Sequence, residues 1–313
     1  FPAGVVAPAA DAYTPVTLNA NQTGSVTIDN DSSFATLTLR KQDSKSGTYL
    51  TGAVVEIAVT NTNLTDEDKA LLVDAGFKDA SNAFSATQSV TISNANGLSV
   101  SLPAFLADGK TPVAYTVKET AAPENYILDE SLAAVAISLV ANGAPANAEH
   151  TFVNAPEATL TVTKNYYKQW EHNTGNQRYY PLSGAQLAVF ELVGEGDSAV
   201  LAQVGQIATT NANGQALFTG LDGTKTYYVF EISNSSGFVP EDEKNVAGSV
   251  GNIAGKTLAQ VSGYYYIPVD LTGATNNQGT ATMVNVEEYV QLSLSKFYYP
   301  EEKNDEGKWV DVE

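Results

Sequence analysis

One pattern, apolar-x-apolar-x-Lys, occurs three times in this 313-residue chain: Leu37-x-Leu39-x-Lys41, Leu160-x-Val162-x-Lys164 and Leu292-x-Leu294-x-Lys296. Side chains two apart on a strand share a face. Each lysine therefore faces the same way as two residues that belong in a core. A lone ammonium is expensive to bury, so each needs a buried partner. Carboxyls on the same kind of face come from Tyr115-x-Val117-x-Glu119 and Tyr227-x-Val229-x-Glu231. Amides come from Phe152-x-Asn154 and Met283-x-Asn285. Lys, Glu and Asn recur in that order in two successive stretches. That is the layout for a self-forming isopeptide crosslink, Lys41 to Asn154 and Lys164 to Asn285, with Glu119 and Glu231 as the promoting carboxyls. Burial supplies the chemistry, because desolvation lowers a lysine pKa and raises a glutamate pKa.

Short alternating runs rich in Thr, Val and Tyr fill the chain, among them 87-TQSVTIS-93, 114-AYTVKE-119 and 226-TYYVFE-231. Asn96-Gly97, Asn142-Gly143, Asn213-Gly214 and Asp222-Gly223 punctuate them as turns. Many short strands at this spacing predict an all-β chain of Ig-like sandwiches. One short helical insertion is expected over 64–77, where Thr65 and Asp68 form a capping box ahead of Ala70, Leu71 and Leu72.

The repeat sets the boundaries. Lys41 and Asn154 lie 113 positions apart, and Lys164 and Asn285 lie 121 apart. Only 10 or 11 positions separate Asn154 from Lys164 and Asn285 from Lys296. The phasing gives two complete units, 34–156 and 157–287. Residues 1–33 read as the closing strands of a preceding unit, with Asn30 as its amide. Residues 288–313 read as the opening strand of a following one, with Lys296 as its lysine. Such short junctions predict an elongated, stiff rod.

With 16 basic against 35 acidic residues, the net charge is −19. A phosphate backbone needs a basic footprint, so nucleic acid is excluded as a partner, and an anionic membrane surface is disfavoured. The chain has no cysteine, hence no disulfide and no thiolate metal site. The opening residues lack Met and a basic n-region, which points to a mature product or an excised fragment. The acidic stretches at 29–31 and 66–68 lack EF-hand spacing. No hydrolase, phosphate-loop or zinc-protease motif occurs. No cofactor or metal is expected, and no activity beyond single-turnover self-crosslinking.

The segments 37-LTLRKQDSKSGTYLTGAVVEI-57, 115-YTVKETAAPENY-126 and 152-FVNAP-156 resemble the collagen-adhesin B-type (CnaB) domains of Gram-positive pilins and surface adhesins. The second unit is similar in 160-LTVTK-164, 182-LSGAQLAVFEL-192, 216-ALFTGLDGTKTYYVFE-231 and 283-MVN-285. It departs from the family at 165-NYYKQWEHNTGNQRYYP-181, where the family has an Asp-containing turn, and after Glu231, where the Ala-Pro is missing. The resemblance implies that Lys41 and Asn154 form the bond and that Glu119 promotes it. It also implies an extracellular, cell-wall-anchored stalk whose partners are other pilin or adhesin subunits. The alternative is a ligand-binding adhesin region that contacts a host matrix protein or glycan through 58–84 and 165–181. In that region Tyr166, Tyr167, Trp170, Tyr179 and Tyr180 cluster, and alternation would send half of the tyrosines into the core.

Overall fold

The computed structural model describes residues 33–288 apart from 176, 235, 242 and 243, together with 295 and 301–311. Asn30 and Lys296 lie outside the described residues.

The first domain begins with β1 (Phe34–Asp43), β2 (Val54–Val59) and α1 (Asp66–Asp74). Strands β3 (Thr87–Thr91), β4 (Leu98–Pro103), β5 (Tyr115–Ala121) and β6 (Val135–Ile137) follow. A small hairpin of β7 (Val140–Ala141) and β8 (Ala144–Pro145) leads to β9 (Ala148–Asn154). One sheet has the order β4-β1-β9 and the other β3-β2-β5-β6. Alternation holds along β1, where Leu37, Leu39 and Lys41 are all buried. Opposite them stand Val55, Ile57, Tyr115 and Val117, so the core lies between two inward faces.

The helix forms where the capping signals stand. Thr65 Oγ1 accepts from Asp68 N at 3.2 Å, and the Asp68 carboxylate accepts from Thr65 N at 2.9 Å. That carboxylate also accepts from Ala107 N at 2.9 Å, which ties the helix to the loop after β4. Leu71 and Leu72 are the helix's buried apolar contacts.

The second domain repeats the plan with β10 (Glu157–Lys168), α2 (Gln169–Asn173), β11 (Tyr180–Pro181), β12 (Gln186–Val193), β13 (Val200–Thr209) and β14 (Gln215–Asp222). It continues through β15 (Thr226–Ser233), β16 (Phe238–Pro240), β17 (Tyr266–Asp270) and β18 (Gln278–Glu287). One sheet runs β11-β10-β18-β16 with β14 also on β10, and the other runs β13-β12-β15-β17. A separate hairpin, β19 (Glu301–Lys303) and β20 (Trp309–Asp311), follows.

Two features go beyond the sequence expectation. The chain has a second helix, α2, at the turn of the 165–181 excursion, where one helix alone was expected. The β12–β15 sheet is also buried on both faces. Ala188, Phe190, Phe230 and Ile232 point away from the inter-sheet core and are covered by Ala247, Ile253 and Val261. Their strands accordingly read as continuous apolar runs rather than alternating ones.

In both domains the first and last strands pair in parallel, β1 with β9 and β10 with β18. No helix among the described residues is long and apolar enough to cross a membrane.

Removing the Thr65 cap tests the account of α1. Thr65→Ala should cost about 1 kcal/mol of local helix stability. Amide hydrogen exchange should then quicken over 66–74 and stay unchanged in β1 and β9.

Candidate functional site

Each domain gathers one Lys, one Glu and one Asn at the same place. Parallel register sets Lys41 opposite Phe152 and Lys164 opposite Met283. The asparagine lies two positions further along in each case, on the same face. A diagonal neighbour at that offset is within reach of a long side chain. The glutamate arrives from the facing sheet, on β5 or β15.

A β-bulge accompanies the glutamate in both domains. Val54 pairs with Ala121 but Val55 with Glu119, which leaves Thr120 as the extra residue. Gln186 pairs with Ser233 but Leu187 with Glu231, which leaves Ile232 as the extra residue. A bulge bends its strand and re-aims the neighbouring side chain. Here it sits directly after the carboxylate that must cross the core. Period-two reading of the sequence does not reveal it.

In the second domain Lys164, Glu231 and Asn285 are each 0% exposed. Lys164 Nζ donates to Glu231 Oε2 at 2.9 Å and to Asn285 Oδ1 at 2.6 Å. Asn285 Nδ2 donates to Glu231 Oε1 at 2.9 Å. The Tyr265 ring lies 4.6 Å from the same Nζ, an aromatic face that sequence reading did not assign to the site. In the first domain Asn154 Nδ2 donates to Glu119 Oε1 at 3.0 Å. Lys41 Nζ stands 3.5 Å from Glu119 Oε2, at ion-pair distance, yet makes no hydrogen bond.

Burial controls the protonation of these groups. Desolvation lowers the Lys41 amine from 10.5 to about 8, against the opposing pull of Glu119. It lowers Lys164 to about 8 as well, against Glu231. Desolvation raises the Glu119 carboxyl, with Lys41 and Asn154 acting in the other direction. Both changes favour a neutral amine beside a neutral acid.

The backbone holding Lys164 is gripped on both sides. Its N–H donates to Gly214 O at 2.6 Å, and its carbonyl accepts from Leu182 N at 2.8 Å. Gly214 has φ +72, and a Cβ there would lie 2.4 Å from the Lys164 carbonyl oxygen. Asn213-Gly214 is thus a turn that also lets β10 approach.

Other residues singled out in the sequence fall into place around the two sites. Tyr167 and Tyr265 are buried, while Tyr166 and Tyr180 are half-buried and stack at 5.3 Å. Trp170 and Tyr179 are more than half exposed. His150 lies within the edge strand β9, half-buried, with its ring 4.5 Å from that of Phe152. Among the described residues no cluster of three or more His, Asp or Glu could hold a metal ion.

Two measurements test the site. Gly214→Ala should push β10 away at Lys164, destabilise the second domain by about 1–3 kcal/mol and leave the first domain unchanged. Denaturation followed separately in each domain reads this out. The second measurement uses Asn154→Ala, which removes the amide and keeps Lys41 as a free amine beside Glu119. Its amine should titrate near pH 8, where an unfolded lysine holds its proton to 10.5. Between those values the unfolded chain binds more protons, so first-domain stability should rise with pH across that window. Lysine-selective NMR titration and pH-dependent denaturation check both parts.

Residues 35–151 match the family model of SpaA, described as a prealbumin-like fold domain. No curated protein sequence matches the chain significantly. Among solved structures, a streptococcal ancillary pilin aligns at 15% identity and TM-score 0.36, covering 86% of this chain and 68% of its own. The shaft pilin SpaA of Lactobacillus rhamnosus GG aligns at 14% identity and TM-score 0.32, covering 83% and 100%. GBS52, the minor pilin of Streptococcus agalactiae, aligns at 14% identity and TM-score 0.32, covering 84% and 100%. The family match falls on the stretch that holds Lys41 and Glu119, so residues 35–151 are similar to a SpaA prealbumin-like domain, in keeping with the B-type resemblance of the sequence.

Proposed function

We propose that this chain is a stalk segment of a bacterial cell-surface pilin or adhesin, whose two domains, 34–156 and 157–287, are each locked by an autocatalytic isopeptide bond. The observation that carries this reading is the repeated triad. The same three residue types meet in two separate cores, with the same parallel register and the same bulge beside the glutamate. A structural ion pair needs no asparagine at a fixed diagonal. An amide-forming site does.

The chemistry follows from the geometry. A proton passes from the lysine ammonium to the glutamate, which gives a neutral amine and a neutral acid. The amine nitrogen attacks the asparagine Cγ, and once the side-chain amide turns over to bring Oδ1, in place of Nδ2, to the carboxyl, the acid stabilises the charge that develops there. Protons then move from the new nitrogen to the leaving one through the same carboxyl. The Cγ–Nδ2 bond breaks and ammonia departs. One amide replaces another, so no oxidant or cofactor is required. Contact enforced by folding makes the step effectively intramolecular. Closing a loop of this size should stabilise each domain by about 4–5 kcal/mol on the chain-entropy model used for disulfides.

A second reading has its own observation. Trp170 and Tyr179, on the 165–181 excursion, are exposed by 56% and 55%. Exposed aromatics mark binding surfaces, which would make this end of the second domain a contact for a host glycan or matrix protein. A glycan array or matrix-protein pull-down with the whole chain separates the two. A pure stalk binds nothing.

Intact mass tests the main reading. The folded chain should be lighter than its sequence by two ammonia molecules, and an unshifted mass would falsify the proposal. Glu119→Ala should restore one of the two and leave Lys41 and Asn154 as separate side chains in a peptide map. On refolding, crosslinking should be nearly independent of pH from neutrality up to about 8, where the Lys–Glu pair keeps its one shared proton, and should slow above that as the proton is lost.

A further inference from the structure

The two sandwiches meet at a joint that touches at few points. Pro156 O accepts from Gly223 N at 2.9 Å, and Asn125 O accepts from Glu157 N at 2.8 Å. A Cβ on Gly223 would lie 3.0 Å from that Pro156 oxygen, so the approach is close. Elsewhere the joint is open. A crevice of 810 Å³ lies between the 127–132 segment of the first domain and Glu191, Asp222 and Lys225 of the second. Asp129 and Lys225 attract each other across it. A joint of this kind bends unless something pins it.

Lys45 is placed to do so. It stands in the turn after β1, and its Nζ reaches across the joint. It donates to Leu271 O at 3.2 Å, to Ala274 O at 3.4 Å and to Asn277 Oδ1 at 3.3 Å. All three acceptors lie on the stretch between β17 and β18, and Asp270 nearby feels its charge. An ammonium has three N–H donors, and each finds an oxygen here. A surface lysine commonly holds one partner loosely. Three acceptors from a single segment of the other domain form a seat.

The turn that carries Lys45 is fastened to the proposed crosslink at both ends. Ser44 N donates to Asn154 O at 2.9 Å, and Leu50 N donates to Lys41 O at 2.8 Å. Asp43 follows Lys41 on the inner face and is buried. Its carboxylate accepts from Lys45 N at 2.6 Å, from Ser46 N at 3.0 Å and from Tyr126 Oη at 2.8 Å. Gly47, at φ +72, closes the turn by donating to Asp43 O.

We infer that Lys45 is an inter-domain pin, and that the Lys41–Asn154 bond stiffens the joint through it. The bond fixes the spacing of β1 and β9, the spacing holds the 43–48 turn, and the turn holds Lys45 on the second domain. The coupling rests on the crosslink reading. The pin itself rests only on the contacts of Lys45.

The chain has no cysteine, so two labels can be placed cleanly, at Ser101→Cys on the first domain and Thr219→Cys on the second. Both positions are exposed strand residues. Pulsed dipolar spectroscopy on the full chain then reads the distribution of inter-domain distances. The otherwise unaltered chain should give a narrow distribution. Lys45→Met, which keeps most of the side-chain length and removes the charge and donors, should broaden it. Glu119→Ala should broaden it too, and the double variant should be no broader than the wider single one. An unchanged width with Lys45→Met overturns the pin. A narrow width with Glu119→Ala, in a chain whose mass shows the first bond missing, overturns the coupling and leaves the crosslink reading intact. If the unaltered chain has lost no ammonia, the crosslink reading and the coupling fail together, and Lys45→Met still decides the pin.

Discussion

Everything distinctive about this molecule follows from placing an ammonium, a carboxyl and an amide inside a dry sandwich. In water the Lys–Glu pair would be charged and the amide inert. In the core both charges lose their hydration, and the lysine amines fall to about 8. An ion pair there is a poor source of stability. Its neutral tautomer, amine and acid, gains on the charged pair there, and that tautomer is the one the proposed crosslink would use. The sandwich suits the task because its sheets stand about 10 Å apart. Lysine and asparagine approach from one sheet and glutamate from the other. Two long side chains and one short one span the gap.

Strand order would turn the proposed local bond into a mechanical one. The first and last strands of each domain lie side by side and parallel. Tension enters at the start of β1 and leaves at the end of β9, so without a crosslink it would shear the hydrogen bonds between these strands. The proposed covalent link, near the C-terminal ends of both strands, would carry that tension directly from Lys41 to Asn154. The residues between them, including the β3-β2-β5-β6 sheet and α1, would then lie outside the line of force. The second domain has the same arrangement with Lys164 and Asn285. A link between neighbouring hairpin strands would shelter only a loop.

Much of this was legible in the sequence because strands have a period of two. Leu37, Leu39 and Lys41 are buried together, as are Tyr227, Val229 and Glu231, and Met283 and Asn285. Local chemistry also placed α1, since Thr65 and Asp68 cap it by contacts three residues apart. What stayed hidden depends on partners far along the chain. The bulges at Thr120 and Ile232 show only when β5 and β15 are set against β2 and β12. The cover over Phe190 and Phe230 comes from the 247–261 stretch, whose weak periodicity gives no sign of what it packs on. Tyr265 sits in a tyrosine run, and nothing local marks it as the ring beside Lys164. The reach of Lys45 to Asn277 spans 232 positions and leaves no pattern at all.

The two triads also show what such a site demands of the rest of its domain. Each core holds a buried lysine, which is costly in an apolar interior. In the first domain the Lys41 amine makes no hydrogen bond at all, which is the situation that costs most in an apolar interior. The precursor must therefore fold on the surplus from its other contacts, among them Leu37, Leu39, Ile57 and Val117 packed between the sheets. The proposed bond would remove the penalty outright, because a neutral amide would replace the amine, and loss of ammonia would carry the reaction forward. On the proposed chemistry the burial cost is greatest in the unreacted fold and would be relieved by the same step that makes the fold permanent. A cysteine-free chain would gain in this way a crosslink that no reductant can open, at positions where water is already excluded.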